Sequence, residues 1–172
     1  MSVDLTETIG RYNDAWNDHD LDAIMAMHAP DMVFENHTAG ERAEGEEVRD
    51  HIGRIFAAWP DLRFAGRRLY VREDLVVQEW TATATHSNEM RRGEIVAPPT
   101  GKQIEWVGMD VIPFADGLVT RKDVYSDSVA ILRQLGMASD PLAGPLVDYA
   151  AQPILDPRGD RAGDVRAAFR IG

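Results

Sequence analysis

The sequence predicts an α+β fold in which three N-terminal helices pack on a strongly curved antiparallel sheet and leave a mostly apolar pocket between them. Three observations carry this prediction. Apolar residues recur at helical spacing as far as Trp59, and the period changes to two after Pro60. Four tryptophans and seven methionines are spread over both halves, enough to line a shared interior.

The first helix opens at Asp4-Leu-Thr-Glu7, a capping box, and Leu5, Ile9, Tyr12 and Trp16 mark its buried face. A second, short helix starts near Asp20, carries Leu21, Ile24, Met25 and His28, and stops at Pro30. Met32–Asn36 reads as a strand. A third helix runs from Gly45 to Trp59, with Val48, Ile52, Ile55, Phe56 and Trp59 inward. Four strands follow at Leu62–Val71, Leu75–His86, Gln103–Phe114 and Leu118–Tyr125, the last two joined by the hairpin signal Asp116-Gly117. Ala97–Gly101 is a loop. Gly101-Lys102 lacks the glycine spacing and the following hydroxyl of a phosphate loop. A short helix over Ser128–Leu135 ends on Gly136. From residue 138 to residue 172 the chain is rich in Pro, Asp, Gly and Arg, which sets it apart as an extension of the domain at 1–137, with a final helical turn over Asp164–Phe169.

Composition excludes several classes. A net charge of -11 would repel nucleic-acid phosphates and an anionic membrane surface. With no cysteine, disulfide and thiol chemistry are excluded. No run is long enough to span a membrane, and Met1-Ser2-Val3-Asp4 lacks signal-peptide character, so a cytoplasmic protein is expected. The five histidines are not paired with carboxylates at ligand spacing, so no metal is expected. There is neither a nucleophilic triad nor a dinucleotide fingerprint.

The informative residues are polar groups sharing a face with apolar ones, because an unpartnered buried polar group costs about 1–3 kcal/mol. Tyr12 lies one turn before Trp16 on the buried stripe, either as a hydrogen-bonded core tyrosine or as a donor to a ligand oxygen. Asn36 shares the phase of Phe34, and either faces the pocket or bonds backbone at the strand end. His28 extends the buried face of the second helix, where a structural histidine also accounts for it. His86 and Trp80 share a phase on the second long strand. Asp110 shares phase with Trp106, Gly108, Ile112 and Phe114, although Val107, Met109 and Val111 make the opposite face apolar too. A carboxylate in that setting acts as a general base or, protonated, as a donor. The hairpin decides its neighbour. A two-residue Asp116-Gly117 loop sets Asp123 opposite Asp110, whereas a loop of Ala115-Asp116-Gly117 with a bulge turns Asp123 outward and Val124 inward.

Arg11–Trp16, Asp20–Ile24 and Met27–Asn36 together resemble the opening of the NTF2-like superfamily, in particular its ketosteroid isomerases and SnoaL-like polyketide cyclases. Pro98–Lys102, Gly108–Gly117 and Leu132–Gly136 resemble the cyclase branch. The match covers about residues 5–137 and implies a cone-shaped fold around a pocket. It places Tyr12 at the isomerases' oxyanion-hole tyrosine and Asp110 at the protonated acid beside it. Asn36 stands at their general-base aspartate, and an amide abstracts no proton; cyclases tolerate Asn there. The cyclases' acid–base Asp on the last strand aligns with Val124, one residue past Asp123, and the alignment favours the bulged hairpin. The columns of the limonene-type epoxide hydrolases' catalytic set hold Trp80, Ala82 and Val124, which argues against that activity.

The expected function is therefore a cofactor-independent acid–base enzyme acting on a small hydrophobic carbonyl compound, by intramolecular aldol cyclisation or isomerisation. Asp110 would move the proton, with Tyr12 and Asn36 on the substrate oxygen and Asp123 as a further candidate. Trp16, His28, Phe34, Phe56, Trp80, His86, Trp106 and Tyr125 would form the walls. The alternative is a non-catalytic small-molecule-binding or dimerisation domain. The resemblance also implies a homodimer through the outer sheet face, with Val107, Met109 and Val111 at the contact.

Overall fold

The computed structural model describes residues 4–92 and 95–137, so the extension from residue 138, with its expected helical turn over 164–169, lies outside the described residues. Helix α1 (Leu5–Asn17) begins where Asp4 accepts the backbone N–H groups of Thr6 and Glu7, satisfying donors that a helix start leaves orphaned. Its buried stripe carries Leu5, Ile9, Tyr12 and Trp16. Helix α2 (Leu21–Ala26) is capped in the same way by Asp20. It is shorter than its pattern suggests, and His28 is not on it. That histidine opens strand β1 (His28–Asn36), and Pro30 lies where the pairing register shifts, so its missing N–H breaks no ladder bond.

Strand β2 (Glu41–Glu44) pairs with β1 at the sheet edge. Its sequence, Glu-Arg-Ala-Glu, shows no apolar alternation, so only the pairing reveals it. Helix α3 (Glu47–Ala58) follows, then β3 (Arg63–Val71) and β4 (Leu75–Thr85). A small separate hairpin, β5 (Met90–Arg92) and β6 (Ile95–Ala97), precedes the loop. Strands β7 (Gln103–Ala115) and β8 (Leu118–Ser126) and helix α4 (Ser128–Leu135) complete the described chain, α4 ending on Gly136 in the left-handed region. The main sheet has the order β2-β1-β8-β7-β4-β3. All its pairs are antiparallel except β1 with β8, which are parallel. This is the α+β architecture expected from the sequence.

The β7–β8 hairpin combines features of both loop alternatives. Ala115 pairs with Leu118 across a two-residue Asp116-Gly117 turn whose residues both have positive φ. The register then shifts by one between Val111 and Phe114, because β8 carries an extra residue, and Asp110 ends opposite Val124. Val119, Lys122 and Val124 therefore all point inward, and Asp123 points outward.

Gly108 is needed where β7 meets β4. It stands opposite Trp80, and a Cβ there would lie 2.2 Å from the indole and 2.7 Å from the Tyr125 carbonyl. Gly108→Ala is expected to destabilise the fold by roughly 2–3 kcal/mol, the upper end of overpacking. A urea midpoint equal to the wild type would refute it.

Candidate active site

Between the helices and the concave sheet lies a cavity of about 1010 Å³, at the upper end of small-molecule pockets. All four tryptophans, Trp16, Trp59, Trp80 and Trp106, line it. Phe34 and Phe64 extend this apolar wall, Phe64 packing edge-on against Trp80 with ring centroids 5.1 Å apart.

Sheet register brings one polar cluster into this wall. Asp110 on β7 and Lys122 on β8 form an ion pair whose side chains are only 3% and 8% exposed. Gln78 on β4 sits opposite Asp110 and donates to the same carboxylate oxygen at 2.9 Å. Asn13 on α1 exchanges hydrogen bonds with Gln78 at 2.9 and 3.1 Å. The other oxygen, Asp110 Oδ1, is buried without a hydrogen-bond partner among the described residues. Lys122 Nζ also lies 5.2 Å from the Trp16 ring and 5.7 Å from the Tyr12 ring, both in cation–π range. Asn13, Gln78, Asp110 and Lys122 all line the cavity. A carboxylate with one tethered and one unengaged oxygen, beside a fixed ammonium, has the parts of a base next to an anion stabiliser.

The expected site residues separate into three groups. Asp110, Asn36, Trp16, Phe34, Trp80 and Trp106 line the cavity. Asn36 has its carbonyl oxygen engaged, accepting the Ala39 N–H at 3.0 Å, which is the strand-end alternative. Tyr12, His28, Phe56 and His86 are packed outside the lining. The Tyr12 hydroxyl is 2.8 Å from His28 Nε2, so these two groups partner each other. Phe56 packs edge-on to Trp16 and stacks on His19. His86 packs against Trp59 and sits 3.1 Å from the Thr100 hydroxyl. Asp123 and Tyr125 are on the opposite face of the sheet, Tyr125 stacked on His37.

That outer face holds the histidine–carboxylate grouping which sequence spacing does not reveal. His37 Nε2 is 2.7 Å from Asp123 Oδ1, and Glu35 completes a set of three ligand-type side chains. Arg121 already occupies this cluster, donating to Asp123 at 2.6–2.9 Å and to Glu35 at 2.5 Å. Burial pushes the Asp123 carboxyl up, but hydrogen bonds from Arg121 and His37 outweigh it and hold the group below its usual range. The acids thus have a resident cation in the guanidinium.

Lys122, Asn13 and Gln78 escape the sequence reading. Lys122 could have been found only from the bulge, since uninterrupted alternation from Val119 places it on the solvent side.

Burial governs the titration of the Tyr12–His28 pair. It pushes the Tyr12 phenol well above its usual value, and it lowers His28 to about 4, with Lys122 adding to the effect. The imidazole is therefore neutral in the folded protein at pH 7, while the unfolded chain protonates it below about 6.5. Stability is full above that value and falls as pH drops towards 4, by about 3 kcal/mol for this group. His51 and His86 are lowered in the same direction, chiefly by burial. Urea unfolding at pH 7.5 and 4.5 should show this loss, reduced in His28→Gln. A flat profile would contradict it.

Comparison with known proteins agrees with this architecture. Residues 9–122 match the SnoaL-like domain family model. The candidate hydroxylase AclR from Streptomyces galilaeus is 25% identical, with a TM-score of 0.67 over 78% of this chain and 86% of its own. The candidate polyketide cyclase IdmH from Streptomyces antibioticus is 28% identical, with a TM-score of 0.65 over 76% and 97%. A candidate polyketide cyclase from Acidithiobacillus ferrooxidans is 26% identical, with a TM-score of 0.65 over 77% and 94%. No curated protein matches the chain. Among the described residues no helix is long and apolar enough to cross a membrane. With the family model covering most of the domain and the cone built as described, this chain belongs to the SnoaL-like family of the NTF2-like superfamily.

Proposed function

We propose that the protein is a cofactor-independent acid–base enzyme that enolises a hydrophobic carbonyl compound, leading to cyclisation or isomerisation. The carrying observation is the buried Asp110–Lys122 pair set into an apolar cavity with Asp110 Oδ1 unengaged. In this reading the substrate carbonyl oxygen approaches Lys122, whose ammonium stabilises the enolate as charge develops. Asp110 Oδ1 takes the proton from the adjacent carbon and returns it later in the cycle. Gln78, braced by Asn13, holds Asp110 from behind. The tryptophan walls exclude water, which strengthens these electrostatic interactions. Relatives described as candidate polyketide cyclases support the class of chemistry.

The test is proton exchange at carbon. Incubated with 2-tetralone in D₂O, the protein should accelerate loss of the α-proton NMR signals above the buffer rate, and an unchanged rate would sink the reading. Binding with no exchange would instead favour a non-catalytic ligand-binding domain. The same reading includes a homodimer through the outer sheet face. There Val107 is exposed and Met109 and Val111 are half-buried. Sedimentation independent of concentration at monomer mass would argue against that contact.

A further inference from the structure

The cavity has a second polar pair in its lining, from α3 and β2. His51 lines it and is 6% exposed. Its ring packs against Phe34 with centroids 4.9 Å apart, and Arg54 Nη2 donates to Nδ1 at 3.5 Å. Burial, then the Arg54 charge, lowers its pKa, so the ring is neutral at pH 7.5. A neutral imidazole that accepts at Nδ1 carries its proton on Nε2. That buried Nε2 has no hydrogen-bond partner among the described residues. Glu41 Oε2 on β2 is 3.8 Å away, too far for a direct bond, and Glu41 also lines the cavity.

One atom that bonds both the Nε2–H donor and a Glu41 oxygen fits this spacing. A hydroxyl does so, accepting from Nε2–H and donating to Glu41, with its oxygen about 2.8 Å from each. A ketone, ether or carboxylate oxygen satisfies only the histidine, because none of them has a proton to give Glu41. Resting on the acid–base reading of Asp110 and Lys122, we propose that His51 and Glu41 form a hydroxyl-binding subsite of the cavity. The ligand is then an apolar ring system with a carbonyl towards Lys122 and Asp110 and a hydroxyl towards His51 and Glu41.

The experiment compares two neutral probes differing by one methyl group, 2-(hydroxymethyl)anthraquinone and 2-(methoxymethyl)anthraquinone. Affinities are read at pH 7.5 from quenching of the tryptophans that line the cavity. The wild type should prefer the hydroxyl compound by roughly tenfold, the size expected of hydrogen bonds involving a charged partner. His51→Leu should reduce the preference to under about twofold. Glu41→Ala should reduce it several-fold, and its edge-strand, partly exposed position makes that variant the safer one to fold.

Equal wild-type affinities, binding of neither probe, or a preference that survives in either folded variant would overturn the assignment. The comparison needs no turnover, so the two proposals fail separately. Missing proton exchange with an intact, His51-dependent preference removes only the acid–base reading. Exchange without the preference removes only the hydroxyl subsite.

Discussion

Lys122→Met will destabilise the protein by about 3–5 kcal/mol, and adding Asp110→Leu will restore most of that loss. Both charges are almost fully removed from water, and each makes the other tolerable. Deleting the ammonium leaves a buried carboxylate that, among the described residues, keeps only the Gln78 amide, with nothing on Oδ1. Removing both charges in favour of apolar groups of similar size eliminates the desolvation penalty instead of exposing half of it. Urea unfolding at pH 7 measures both steps. A single variant as stable as the wild type, or a double variant no better than the single, would show that this pair is not the buried unit described here. The double variant should also lose all proton exchange, separating the stability role from the chemical one.

Asp110→Asn will lower the α-proton exchange rate by about 10²–10⁴-fold, the usual contribution of a positioned general base. The amide is the same size and still offers an oxygen to Lys122, but it has no basic lone pair for the substrate. Asn also leaves the Lys122 charge uncompensated in an apolar wall, so the substitution costs stability as well. Rates should therefore be compared on samples whose near-ultraviolet circular dichroism confirms native tryptophan packing. An exchange rate within about tenfold of wild type in such a sample would remove Asp110 from the mechanism.

Much of the fold was legible locally. The α1, α3 and α4 helices and the four long strands follow from periodicity, caps and turn residues, all of which act within a few positions of sequence. Elements defined by their partner were not legible. Strand β2 is polar and exists through pairing with β1, and β1 lies parallel to β8 after more than eighty intervening residues. His28 shows the same limit. Its spacing continues a helical stripe, yet the chain has already turned into a strand, where the ring meets Tyr12.

By itself the sequence determined a helix-then-sheet domain with an aromatic interior, and it singled out Asp110 as the carboxylate in that interior. Which partners Asp110 has was decided only by the tertiary structure. One extra residue in β8 turns Lys122 and Val124 inward and Asp123 outward, so the second carboxylate that an unbulged two-residue hairpin would supply is replaced by an ammonium. Strand residues alternate faces with a period of two, so a bulge invisible in residue identity reverses every side chain beyond it. The pocket's existence rests on local pattern, whereas the charge at its centre rests on the register between strands.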